Sequence, residues 1–195
     1  MTFINYNTKE IHFKILYYGP AGSGKTRNLR YIFENTADEQ KGEMVAIADG
    51  GARSAYFDFL PVFLGKVRGY NTRLHLYAIP GLAVPETQGR LLTKGVDGIV
   101  FVADSQPARL EANLESYRRL KAELATYRYR LDRIPHVFQY NRRDAEGAVP
   151  IEMLHNVLNE HGAPEFPANA KTGDGVLETL KTIGKMVLRD IVKAK

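Results

Sequence analysis

The eight residues Gly19-Pro20-Ala21-Gly22-Ser23-Gly24-Lys25-Thr26 restrict the fold of this chain more than any other stretch. They fit G-x-x-x-x-G-K-[ST] in full. The apolar run from His12 to Tyr18 reads as a strand that stops at Gly19, and Lys25 to Glu34 reads as a helix. That is the context the motif requires. The glycines let successive backbone N–H groups turn into one concavity, and the helix N-terminus adds its positive dipole end. Gly19, Ala21, Gly22, Ser23 and Gly24 are thus expected to wrap a phosphate. Lys25 supplies a point charge for the β- and γ-phosphates, and the Thr26 hydroxyl a ligand for Mg²⁺. The loop points to a nucleoside triphosphate and leaves the base open.

The rest of the pattern supplies a matching scaffold. Tyr56 to Val67 and Arg73 to Ile79 read as neighbouring strands joined through Arg68-Gly69-Tyr70-Asn71-Thr72. Val96 to Ala103 is nearly all apolar, as a strand buried on both faces should be. Leu110, Leu114, Tyr117, Leu120, Leu124 and Tyr127 recur at helical spacing and predict a helix over Ala108 to Arg128. A strand over Ile134 to Tyr140, a helix over Pro150 to His161, a short strand near Phe166 and a closing helix marked by Val176, Leu180, Ile183, Val187 and Ile191 follow. Alternating strands and helices predict an α/β fold with a doubly wound, mainly parallel sheet, whose ligands lie at the carboxyl ends of the strands. The 195 residues suit a single domain, 1–195.

Composition narrows the chemistry. With no cysteine, the chain has no disulfide, thiolate metal site or thiol nucleophile. Met1 to Phe13 is polar and mixed, unlike a secretory signal, and no run is long enough for a membrane helix. A cytoplasmic protein is expected. The net charge is +5, but the basic residues are spread out, which suits solvated helix faces rather than a nucleic-acid patch. The Lys193-Ala194-Lys195 tail has no cysteine beside it to take a lipid, so no stable membrane anchor is expected.

Asn141-Arg142-Arg143-Asp144 follows the strand ending at Tyr140. Guanine presents N1–H and N2–H₂ as adjacent donors, and the Asp144 carboxylate can accept both, whereas adenine has no such pair. Asn141 either braces the loop or contacts N7. Arg142 lays its stem over the ring face. Further on, Asn169-Ala170-Lys171-Thr172 is a short loop at the next strand end.

Together these loops resemble those of the Ras-like small GTPases, with Arg142 departing from the usual N-K-x-D. Within that group the chain is similar to the MglA family of bacterial motility and polarity GTPases, as a divergent member. The likeness rests on Phe3-Ile4-Asn5-Tyr6, Tyr17-Tyr18-Gly19-Pro20, Tyr56-Phe57-Asp58-Phe59-Leu60-Pro61, Arg73-Leu74-His75-Leu76-Tyr77, Gly95-Val96-Asp97-Gly98 and Phe101-Val102-Ala103-Asp104-Ser105. The resemblance implies a Ras-like G domain and a switch between GTP and GDP states. It also implies effector proteins and a roadblock-domain, MglB-like activating partner. It places Ala170 and Lys171 in the S-A-K loop, where a backbone N–H meets guanine O6. Arg53 falls at the position of an intrinsic arginine finger, or is a surface arginine. Ser54 falls at the first-switch residue that ligates Mg²⁺.

Several positions depart from the pattern. Ala78-Ile79-Pro80-Gly81 stands for D-x-x-G, so Gly81 keeps its N–H for the γ-phosphate while the carboxylate is missing, as is typical of the MglA family. Asp58 either supports the metal instead or is structural. Leu82 replaces the glutamine that orients water, and Gln88 either swings in or sits on a surface helix. Ala21 replaces a glycine, and its methyl crowds the γ-phosphate. These departures predict weak GTP hydrolysis. The competing reading is a GTP/GDP-holding scaffold with essentially no turnover. Asp97 is read as a turn residue, and Asp104 as a cap for the helix after it.

Overall fold

The computed structural model describes residues 3–48, 55–79 and 92–193. Arg53, Ser54, Gly81, Leu82 and Gln88 lie outside these. The strands are β1 (Phe3–Asn5), β2 (Glu10–Tyr18), β3 (Val45–Ala48), β4 (Ala55–Val67), β5 (Tyr70–Ala78), β6 (Gly98–Asp104), β7 (His136–Asn141) and β8 (Glu165–Pro167). The helices are α1 (Lys25–Glu34), α2 (Leu110–Ala125), α3 (Ile151–Leu158) and α4 (Val176–Lys193). One eight-stranded sheet runs β3-β4-β5-β2-β6-β7-β8, with β1 added against the start of β2. Strands β5, β2, β6, β7 and β8 are mutually parallel, whereas β3 and β4 run antiparallel at one edge. This is the doubly wound α/β topology of a Ras-like, P-loop G domain.

The period of two along each strand divides the core. Phe13, Ile15 and Tyr17 of β2, Leu74 and Leu76 of β5, and Val100 and Val102 of β6 meet Leu29 and Ile32 of α1 and Ile183 and Val187 of α4. On the other face Leu16, Phe101, Phe138 and Tyr140 meet Tyr117, Leu120 and Leu124 of α2 and Leu154 and Leu158 of α3. Each such side chain, fully buried, contributes about 1.5–3 kcal/mol. Gly98 shows how tightly α4 lies on the sheet: a Cβ there would come 2.8 Å from Val187 and 2.9 Å from Ile15.

Local chemistry moved some boundaries. Arg68 and Gly69, at φ 51° and 83°, alone form the β4–β5 turn, because two left-handed residues match the twist of the flanking strands. Tyr70, Asn71 and Thr72 are therefore in β5 rather than in the link. The helix expected from Ala108 starts at Leu110, after a 3-10 turn opened by Pro107. It ends where Arg128 turns left-handed and the Tyr129 N–H reaches back to the Leu124 carbonyl. Pro150 precedes α3 instead of joining it, and Asn159, at the other end, donates to the Ala163 carbonyl and accepts its N–H.

The loops of interest leave the carboxyl ends of β2, β6, β7 and β8. The end of β6 is held by the buried Asn113 of α2. Its Oδ1 accepts the Asp104 N–H at 2.9 Å, and its Nδ2 donates to the Asp104 carbonyl at 2.8 Å. Asn113→Ala leaves both groups buried and unpaired, so it should cost about 2–4 kcal/mol in a urea unfolding experiment, more than an ordinary polar deletion in a helix.

Candidate functional site

The phosphate loop has the form its sequence requires. Gly19, Gly22 and Gly24 sit at φ 146°, 74° and 101°. A side chain at Gly19 would meet the Val102 carbonyl, and one at Gly24 would meet the Asn141 amide. Gly19 and Gly24 are thus needed for close approach as well as for dihedral freedom, and Gly22 for its dihedral alone. Lys25 lies across the loop and donates to the carbonyls of Gly19 at 2.8 Å and Pro20 at 2.6 Å. Burial, together with the nearby Arg109 charge, lowers its pKa to about 7. An anion beside it would restore the ammonium form, which suits a residue meant to meet phosphate.

Thr26 and Asp58 form the second feature. The Thr26 hydroxyl donates to Asp58 Oδ2 at 2.5 Å, and Asp58 is buried. In the β4–β5 ladder Asp58 stands directly opposite Ala78. A carboxylate of the neighbouring strand thus lies beside Thr26, across from the position where β5 has none. A hydroxyl and a carboxylate are hard oxygen donors, and Mg²⁺ is commonly held by one or two such groups plus substrate phosphates. The pair fits that ion. Among the described residues no group of three or more His, Asp or Glu side chains makes a self-sufficient metal cage.

Asn141 joins three loops. Its Nδ2 donates to the Ser23 carbonyl at 2.6 Å, and its Oδ1 accepts the Ala170 N–H at 2.8 Å. It is 3% exposed. Of the two roles open to it, the brace is the one its hydrogen bonds fill. The Ala170 N–H expected to face guanine O6 is engaged in that brace, and the Lys171 N–H bonds Asn169 Oδ1 at 3.0 Å.

Around this brace lies a cleft of about 530 Å³ lined by Gly24, Arg27, Arg142, Asp144, Ala170 and Lys171, among others. Asp144 is exposed and makes no hydrogen bond or ion pair among the described residues. Its two oxygens are free to accept. The adjacent Arg143 turns away and ties the loop down by donating to the Val149 carbonyl at 2.6 Å. Arg142 adopts φ 61°, an uncommon conformation for a side-chain-bearing residue. Its guanidinium donates to the Gly22 carbonyl at 2.8 Å and to Gln106 at 3.1 Å, and lies 3.4 Å from Asp104.

Asp104 differs from the sequence expectation. It accepts the Gln106 N–H at 3.1 Å, and it does not cap α2, whose first flanking residue is Arg109. Its buried carboxylate instead lies between Arg142 and Arg109, the latter 3.9 Å away. Arg109 donates to the Ala21 carbonyl at 2.5 Å across 88 residues of sequence. Sequence reasoning missed Arg109 and the cleft residue Arg27, because neither belongs to a motif with fixed spacing. The departure at Arg142 was the one available signal that arginines gather here. Asp97 is also more than a turn residue, since it accepts the Lys14 N–H at 2.9 Å and anchors the approach to β6.

The brace makes a direct prediction. Asn141→Ala should destabilise the protein without any nucleotide by about 2–4 kcal/mol, read by thermal or urea unfolding, because a buried carbonyl and N–H lose their partners together. A residue that served only to contact a base would leave that stability unchanged.

No protein-family model matches the chain. It is 49% identical over 193 residues, covering 99% of both sequences, to the mutual gliding-motility protein MglA of Myxococcus xanthus (strain DK1622). It is also 28% identical over 162 residues to the GTPase Obg of Alkaliphilus oremlandii (strain OhILAs), spanning 78% of this chain and 38% of that protein. Near end-to-end identity of this degree, on a sheet whose phosphate loop, Asn141 brace and Asp144 cleft meet at one edge, places the chain in the MglA family of bacterial Ras-like small GTPases.

Proposed function

We propose that this chain is a guanine-nucleotide switch that binds GTP and GDP with Mg²⁺ on one domain. We assign it slow or partner-dependent hydrolysis and a role in cell polarity or gliding motility. The observation that carries this reading is the Asn141 brace, which sets the free carboxylate of Asp144 beside the phosphate loop. In this reading Asp144 accepts N1–H and N2–H₂ of guanine, and the Arg142 stem covers the ring. Gly19, Ala21, Gly22, Ser23, Gly24, Lys25 and Thr26 hold the phosphates. Lys171 closes the far side of the cleft. Thr26, Ser54 and Asp58 would hold Mg²⁺, which neutralises charge on the β- and γ-phosphates when bound. Arg53 and the Gly81 N–H act on the γ-phosphate. A roadblock-domain partner of the MglB kind and separate effectors read the triphosphate state, in the cytoplasm. The name of the Myxococcus relative supports the assignment to motility, and the Obg name supports GTP hydrolysis.

Base choice is tested by competition. GTP and GDP should displace a fluorescent guanine nucleotide, and ATP should fail to. Asp144→Asn should weaken GTP by at least ~2 kcal/mol, since a charged acceptor becomes an amide whose N–H faces the base's donors. ATP binding equal to GTP binding would overturn the base assignment.

Turnover is tested at Leu82, whose side chain has no hydrogen-bonding atom to orient water. Single-turnover hydrolysis should be slow, and Leu82→Gln should raise it about tenfold, or ~1.4 kcal/mol of barrier. The gain should vanish in an Arg53→Ala background, because water orientation and charge neutralisation act together. If Leu82→Gln adds nothing even with an activating partner, the chain is a nucleotide-holding scaffold.

A further inference from the structure

The phosphate loop is gripped from behind. Lys25 takes the Gly19 and Pro20 carbonyls, and the next two carbonyls of the loop are met by guanidinium groups. Arg109 donates to the Ala21 carbonyl at 2.5 Å, and Arg142 donates to the Gly22 carbonyl at 2.8 Å. Both arginines form ion pairs with Oδ2 of Asp104, Arg142 at 3.4 Å and Arg109 at 3.9 Å, and the Asp104 side chain is 2% exposed. The three residues come from the end of β6, the 3-10 turn before α2 and the residue just after β7, and they meet a loop far away in sequence, so the contact is tertiary.

A peptide unit is polarised as a whole. The Ala21 carbonyl and the Gly22 N–H belong to one amide, and the Gly22 carbonyl and the Ser23 N–H to the next. A cation on the carbonyl draws electron density from the nitrogen and makes the N–H a stronger donor. The Gly22 N–H has no partner among the described residues, and the Ser23 N–H makes only a 3.3 Å contact with the Pro20 carbonyl. We propose that Asp104 and Arg109, with Arg142 as the second arm, form a positioning clamp that fixes the phosphate loop from its carbonyl side and strengthens the Gly22 and Ser23 N–H groups toward nucleotide phosphate. The proposal rests on the guanine-nucleotide reading above and adds positioning residues to it. Arg109 does not touch the nucleotide. It acts through the Ala21–Gly22 peptide.

A buried carboxylate with one arginine would be neutral; with two it leaves a net positive charge behind the loop. That excess is also felt at Lys25, where Arg109 adds to burial in disfavouring the ammonium form. An incoming polyphosphate relieves both strains at once.

The test uses the full chain labelled with ¹⁵N and loaded with GDP. In Arg109→Ala the Gly22 amide proton should move upfield, while amides on the far side of the sheet stay put. GDP should dissociate roughly tenfold faster or more, as expected for a lost charged hydrogen bond. Arg109→Lys keeps the charge but lacks the planar fork that spans Asp104 and the Ala21 carbonyl, so it should recover only part of the shift and of the residence time. Asp104→Asn should move both the Gly22 and Ser23 amides. Guanosine, which has no phosphate, should bind Arg109→Ala as well as it binds the unmodified chain. If GDP binds the unmodified chain in preference to ADP yet Arg109→Lys and Arg109→Ala leave the Gly22 shift and the GDP off-rate unchanged, the clamp is overturned and the guanine reading stands. If the unmodified chain shows no preference for GDP over ADP, the guanine reading itself falls, and the Gly22 shift still decides whether Arg109 polarises the loop.

Discussion

The side chain of Asn141 is the contact on which the geometry of the whole site depends. A phosphate loop needs N–H groups held in one concavity, and its own sequence is too rich in glycine to hold them there. The constraint arrives from outside, through two hydrogen bonds that a single buried amide makes to Ser23 and Ala170. Those bonds also require Gly24 to lack a side chain, since one would occupy the space of the Asn141 amide. The loop's flexibility in sequence and its rigidity in structure are therefore two sides of one arrangement. Asp144 inherits its place from the same amide, because the loop that carries it begins at Asn141.

The Thr26–Asp58 pair shows a different principle. β5 carries Ala78 where a carboxylate could stand, and β4 carries Asp58 directly across the ladder. Cross-strand neighbours lie close enough that a charge can change strands without leaving its location. The Thr26 hydroxyl is bonded to that carboxylate. Chemistry at such a site belongs to a position in space, and the sequence position that supplies it is free to drift.

Much of this is legible in the amino-acid sequence alone. The phosphate loop announced itself because its mechanism demands fixed spacing, and α1 began and ended where the apolar pattern did. The parallel strands β6 and β7 were readable as buried apolar runs. What escaped were features without a local signature. Strands β1 and β3 are three and four residues long at the periphery, too short to display a period of two. The β4–β5 link looked longer than it is, because Tyr70 to Thr72 resemble turn residues until the Arg68-Gly69 pair is seen to close the hairpin alone. Asp58 could be suspected but not decided, since register across two strands is a property of the fold. Arg109 could not be found at all: its partner at Ala21 is far away in sequence, and an arginine near the start of a helix is ordinary.

The Asn141 brace also sets a timetable. Its partners are Ser23 on one side and Ala170 on the other, so the loop near the beginning of the described chain is completed only by a residue close to its end. During synthesis at about 5–20 residues per second, the stretch from one to the other takes on the order of ten seconds to emerge. The bond to Ser23 can form once Asn141 has emerged, but until Ala170 follows that amide is held on one side alone. The phosphate loop of a nascent chain is thus finished in two stages, long after the motif itself has left the ribosome, and the second waits for β8 to reach β7.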